Sequence, residues 1–197
     1  MSTVITANKK LVFETGLKNF AMPGLYSIVL KQKDGLKTRL FVYDYDEQSI
    51  NKMIVPVHMH KYINKFNFLF GSISDYCYVI NDDGFPVHSY TYSRLSDKEQ
   101  NKLQKTNQTY YLSLDTVFNN CSHIIEDYHY HSVIIRQPET AWIIEEIDYN
   151  KNYNSNICFV LHEEQQESQI KTKQMAYSDF KRVETILTKH GFLLEIL

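Results

Sequence analysis

Two short stretches of the chain concentrate the residue types that hold metal ions. His58 and His60 form one His-x-His pair, and His129 and His131 form a second, out of 8 histidines in 197 residues. Random placement of that many histidines gives about 0.3 such pairs, so two separate ones are a signal. On a β-strand, alternate side chains leave the same face with Cα atoms about 6.5–7 Å apart. Two imidazoles so placed can converge on one ion at bonds of roughly 2.0–2.2 Å. Imidazole suits iron, zinc, copper and nickel, and a centre with three or four protein ligands keeps positions open for substrate. The plain alternative for any histidine is packing or solvation. His88, His123, His162 and His190 stand singly and are read that way.

Other polar residues are candidates to line such a site. Arg39 and Arg136 are substrate-binding candidates, because an inward guanidinium clamps a carboxylate through two parallel hydrogen bonds; the alternative is an outward, solvated arginine. Glu145 and Glu146 are adjacent on an expected strand, so a regular strand turns one of them inward. Glu145 is the candidate general base. Tyr111 is the catalytic candidate among the tyrosines Tyr76, Tyr78, Tyr110, Tyr111, Tyr128 and Tyr130, which otherwise read as sheet packing. Asp44 and Asp46 sit near a turn and read as solvated.

The elements that must position these groups read mainly as strands. Aromatic residues make up 14% of the chain, and such side chains favour strands. Leu11 to Phe13, Leu25 to Leu30, Leu40 to Tyr45, Ile54 to His60 and Phe66 to Ile80 read as β-runs. Met22-Pro23-Gly24 and Lys33-Asp34-Gly35 read as turns between them. Asn81-Asp82-Asp83-Gly84 reads as a hairpin turn. Tyr90 to Thr109 is polar, with Ser96 to Glu99 resembling a helix start, which gives a short helix or long loop. Tyr110 to Leu114, His123 to Ile135, Ala141 to Ile147 and Asn156 to Leu161 follow as strands. The stretch from His162 to Lys173 is polar and charged. Ser178 then caps a helix over about 178–190, with Phe180, Val183, Ile186 and Leu187 at helical spacing and Gly191 as its stop.

The segment Val55-Pro56-Val57-His58-Met59-His60-Lys61-Tyr62-Ile63-Asn64, continuing to Gly71, resembles the first motif of the cupin superfamily. That motif places His-x-His on a strand, a carboxylate four or five residues later and a glycine seven residues after that. His131, in Tyr128-His129-Tyr130-His131-Ser132-Val133, is similar to the histidine of the second motif. Position 64 departs from the pattern, being Asn where many metal-binding cupins carry Glu, and the Gly and Pro punctuation before the second-motif histidine is missing. The ligand set is similar to that of three-histidine iron cupins such as the thiol dioxygenases. The resemblance implies a mainly β fold: a single cupin-like jelly-roll barrel (double-stranded β-helix) with extra N-terminal strands and a C-terminal helix. One domain would cover 1–197, with its core at about 36–161.

The same resemblance implies metal ligands His58, His60 and His131, with Asn64 as a further candidate; His129 shares strand parity with His131, so it lines the same cavity or serves as an alternative ligand. The ion is one divalent metal, Fe(II) favoured, with Zn, Ni, Mn or Cu as alternatives. The expected activity is that of a mononuclear metal-dependent oxidoreductase, a dioxygenase or other oxygenase acting on a small polar molecule. The alternative is a non-catalytic or metal-free cupin-like binding protein. A homodimer fits the family.

Composition narrows the partners. Twenty-one Lys plus Arg against 23 Asp plus Glu leave a net charge of -2, so no field draws in nucleic acid. The longest apolar runs are about four residues, far short of a membrane span. The first residues show no secretory pattern, and Cys77, Cys121 and Cys158 are odd in number and widely spaced. They read as reduced, buried thiols of a cytoplasmic protein.

Overall fold

The computed structural model describes residues 2–20, 22–44, 56–93, 102–150, 157–161 and 172–197. The chain opens with β1 (Thr3–Ala7), α1 (Lys9–Thr15), β2 (Leu17–Lys18), β3 (Leu25–Lys33) and β4 (Leu36–Tyr43). Next come β5 (Val57–His58), β6 (Tyr62–Phe70), β7 (Ile73–Ser93), β8 (Lys102–Asn119), β9 (His123–Ile125), β10 (Tyr130–Ile135), β11 (Thr140–Tyr149) and β12 (Ile157–Phe159). β13 (Lys173–Gln174), α2 (Tyr177–Lys189) and β14 (Phe192–Ile196) complete it. The fold is mainly β.

Two antiparallel sheets carry the architecture. One has seven strands in the order β13-β2-β3-β4-β11-β6-β9, and the other has five, β10-β5-β12-β7-β8, with β10 also pairing β7. β1 and β14 form a separate parallel pair. The two sheets share one apolar cluster. Ile73, Val133 and Ile135 come from the five-stranded sheet, and Leu25, Phe41, Tyr43, Phe66 and Trp142 come from the seven-stranded one. Period-2 alternation makes this possible, since odd-numbered residues of β10 and of the first part of β7, before its bulges, turn toward the other sheet. The even-numbered Tyr78 and Tyr130 join Val57, Met59 and Phe159 in a second cluster on the opposite face.

The outer face of the seven-stranded sheet is covered by α2. Phe180, Val183, Ile186 and Leu187 meet Ile28, Leu30, Leu40 and Val42 there, each buried side chain contributing about 1.5–3 kcal/mol. The helix begins where Asp179 Oδ2 accepts from the Ala176 backbone N–H at 2.9 Å, and it ends at Gly191, whose φ of 81° suits glycine. Lys18 with Asp179, Arg182 with Asp44, and Lys189 with Glu139 pin it to the rest of the chain.

Several elements differ from the sequence reading, each for a local reason. Leu11 to Phe13 lie in α1, because Asn8 caps the helix by accepting the Leu11 N–H at 3.1 Å and only Val12 of that run is buried. Asn81 to Gly84 do not end a strand. They form a bulge inside β7, with Ile80 and Phe85 both opposite Leu112. The polar stretch near residue 90 continues as the paired ends of β7 and β8, while Ser96 to Glu99 lie outside the described residues. His123 to Ile135 divides, its first part becoming β9 in one sheet and its last part β10 in the other. Phe66 to Ile80 also divides, at Gly71. Its φ is 97°, and a Cβ there would meet the Thr140 Cα at 2.5 Å.

Candidate metal centre

β5 and β10 lie side by side, with His131 directly opposite His58 in the antiparallel register. Side chains of such a pair leave the same face of the sheet. His60 follows β5 in irregular backbone before β6. Its position is held by Asn150, whose N–H donates to the Lys61 carbonyl at 2.9 Å and whose amide donates to the His60 carbonyl at 2.8 Å. The result is three imidazoles in a near-equilateral triangle. Ring centroids are 4.8 Å apart for His58–His60, 4.9 Å for His58–His131 and 4.7 Å for His60–His131. One nitrogen from each ring lies within 4.8 Å of the others, so the group could hold a metal ion.

Hydrogen bonding sets which nitrogen each ring presents. His58 Nδ1 lies 3.0 Å from the Pro56 carbonyl. A carbonyl only accepts, so Nδ1 carries the proton and Nε2 keeps its lone pair. His131 Nδ1 lies 2.8 Å from Asp75 Oδ1, which likewise leaves the lone pair on Nε2. His60 Nε2 meets His131 Nε2 at 2.7 Å and has no other side-chain hydrogen bond among the described residues. Two of the three ligand tautomers are thus fixed from behind, as metal-binding histidines require.

The electrostatics favour neutral rings at His58 and His60. Burial, reinforced by the neighbouring His131, pushes His58 down to about 4. Burial, with His131 and His58 beside it, holds His60 well below the usual histidine value. Asp75 is itself 1% exposed. Burial raises its pKa, but His131 and a bond from His123 outweigh that and leave the carboxyl far below its ordinary range. Asp75 therefore remains an acceptor.

The remaining candidates lie in other surroundings. His129 precedes β10, so strand alternation does not carry it to the side of His131. Its Nε2 lies instead 3.0 Å from Asp115 Oδ2. Asn64 is 2% exposed on β6, two residues from Phe66 and on the same face of that strand. Its Oδ1 has no hydrogen-bond partner among the described residues. Glu145 accepts from Asn67 Nδ2 at 2.9 Å, level with Lys65 and on the strand face away from Phe66. Glu146 accepts from the Lys37 N–H at 2.7 Å. Arg136 donates to Ser74 Oγ and Tyr76 OH, even-numbered positions on the face of β7 opposite Asp75. Arg39 bonds Ser27 Oγ and lies over the Phe20 ring. Tyr111 is 47% exposed on β8. None of these seven belongs to the three-histidine group.

Asp75 and Asn150 are the supports of the three-histidine group that the sequence reading missed. Neither carries a spacing signal. Of the thiols, Cys77 and Cys158 are buried and Cys121 is exposed, against the expectation that all three are buried. No helix among the described residues is long and apolar enough to cross a membrane.

The chain matches no protein-family model and no curated protein. Among solved structures it is similar to hydroxypropylphosphonic acid epoxidase from S. wedmorenis, with 13% identity and a TM-score of 0.34, over 67% of this chain and 54% of that one. It is also similar to Fe(II)-HppE with the alternative substrate (S)-1-HPP, with 13% identity and a TM-score of 0.36, over 68% of this chain and 57% of that one. The chain spans a little over half the length of these solved chains.

Proposed function

We propose that this chain is a cupin-like, mononuclear metal-dependent enzyme acting on a small polar molecule, with oxygenase chemistry as the leading activity. The observation that carries the proposal is the convergence of His58, His60 and His131, two of them with their tautomers set so that Nε2 points its lone pair outward from a hydrogen-bonded Nδ1. The donor set fits a divalent ion: three imidazole nitrogens, a buried carboxylate behind one of them, and the orphaned amide oxygen of Asn64 on the β6 face that turns inward. Fe(II) is the favoured ion for redox chemistry, and Zn, Ni, Mn or Cu would also accept imidazole. When bound, the ion would supply Lewis acidity and open positions for substrate and dioxygen.

The chain's own residues do the rest. His58, His60 and His131 hold the site, and Asp75 keeps the His131 proton on Nδ1. Asn150 fixes the irregular backbone that carries His60. Asn64 is the candidate to bind the ion or a water on it. His58 and His60 are half-buried, which leaves the site a route to solvent. Metal analysis of purified protein and of His60→Ala tests this reading. Near-stoichiometric metal in the wild type and loss of at least 100-fold in affinity in the variant are expected. Equally little metal in both would overturn it.

A second reading, a metal-free small-molecule binder, rests on one observation. The 2.7 Å contact between His60 Nε2 and His131 Nε2 satisfies both nitrogens without an ion. It predicts a melting temperature that added metal leaves unchanged.

A further inference from the structure

Asp75 has a second partner. Its Oδ2 lies 3.0 Å from Nε2 of His123, while Oδ1 takes His131. The three side chains are 1–3% exposed. Asp75 and His131 stand on the five-stranded sheet, whereas His123 begins β9 at the edge of the seven-stranded one. One carboxylate therefore bridges two imidazoles across the space between the sheets. The outer imidazole is confined. Phe118 stacks on it at 3.9 Å and 9°, Phe66 stacks on it at 4.8 Å and 21°, and its Nδ1 faces the Cys121 carbonyl at 3.3 Å.

We infer that His123 is a positioning residue for the metal centre, acting through Asp75 to lock His131 in the tautomer that presents Nε2. The inference deepens the proposed function and rests on it for its consequence in metal binding. A carboxylate held at only one oxygen can rotate about its Cβ–Cγ bond and release His131. Held at both, it cannot. With Asp75 fixed, the His131 proton stays on Nδ1 and the ligand lone pair stays aimed at the space between His58 and His60. Partners that orient a ligand from behind are worth about 10–100-fold in metal affinity. The aromatic contacts also make His123 a packing residue, so the test must separate the two roles.

Two variants do so. His123→Phe keeps a ring beside Phe66 and Phe118 but removes the hydrogen bond to Asp75. His123→Gln returns a donor to that position without the imidazole. Long-range 1H–15N spectra of the metal-free protein read the His131 tautomer directly. A single Nδ1–H form is expected in the wild type and in His123→Gln, and a mixture or exchange-broadened ring in His123→Phe. Co(II) titration then reads the consequence. His123→Phe should bind about 10–100-fold more weakly with an altered visible spectrum, and His123→Gln should recover most of the loss. An unchanged His131 tautomer in His123→Phe would overturn the inference whether or not metal binds. So would wild-type Co(II) affinity and spectrum in that variant with only a lowered melting temperature. Failure of wild-type protein to bind Co(II), with the tautomer still dependent on His123, would overturn the proposed metal function and leave the positioning role standing.

Discussion

The two histidines of the second pair each face an aspartate, and the two couples differ in almost every other respect. His131 meets Asp75, whose side chain is 1% exposed, while His129 meets Asp115, whose side chain is 44% exposed. The first couple stands inside the sandwich, with a third group on the carboxylate and two imidazoles in front of it. The second ties the buried His129, in the turn before β10, to a half-exposed carboxylate on β8. The contrast shows that a two-residue spacing does not by itself bring both histidines to one site: His60 joins His58 from irregular backbone that Asn150 holds, whereas His129 turns to Asp115. His58 and His131 share a row because their strands pair, and His129 leaves that row because the strand starts after it.

Removing each aspartate is the sharpest way to test the contrast. Asp75→Ala should cost about 3 kcal/mol, because it leaves two buried imidazoles without their acceptor. Denaturant unfolding measures this. A loss below about 1 kcal/mol would mean the buried couple is no more important than the half-exposed one.

Gly71→Ala is the next largest. It forces a Cβ onto Thr140 at a left-handed φ in the turn that launches β7, the strand carrying Asp75. About 2 kcal/mol of stability should be lost, with metal affinity of the folded fraction unchanged. Asp115→Ala should cost under about 1 kcal/mol, as half-exposed pairs do, and should leave metal binding intact. A metal-binding loss in Asp115→Ala would bring His129 back toward the site.

The smallest effect concerns the clamp between Glu139, Lys189 and His190. Hydrogen bonds from Lys189 and His190 hold Glu139 below its usual 4.5. Its contribution is therefore present above that pH and lost as pH falls through the lowered value. Glu139→Gln should remove about 0.5 kcal/mol near neutrality and flatten that part of the acid-unfolding curve. An unchanged curve would show the clamp to be inert.

The β-rich class, the C-terminal helix and the stretches bearing His58, His60 and His131 were legible from spacing and composition. Asp75 was not, because a lone aspartate among Ser74, Tyr76 and Cys77 acquires meaning only from the register that sets it beside β10. His123 looked like any satisfied histidine, since its partner lies 48 residues away. Glu145 illustrates a different limit. Alternation tells that neighbouring glutamates face opposite ways, but which way is set by the pairing with Lys65 and Thr38. The division of His123 to Ile135 escaped notice because apolar runs do not reveal which sheet receives them.

The central claim is that three imidazoles share an ion, and ligand-dependent stability tests it most directly. Thermal unfolding is followed anaerobically with Fe(II), and separately with Zn(II), beside His60→Ala. At 100 times Kd a specific ion adds about 2.7 kcal/mol, a rise of about 5–10 °C for a domain of this size. That rise should appear in the wild type, vanish in the variant and shrink as acid protonates the ligands. Identical melting curves with and without metal, in protein shown to be folded and initially metal-free, would contradict the account.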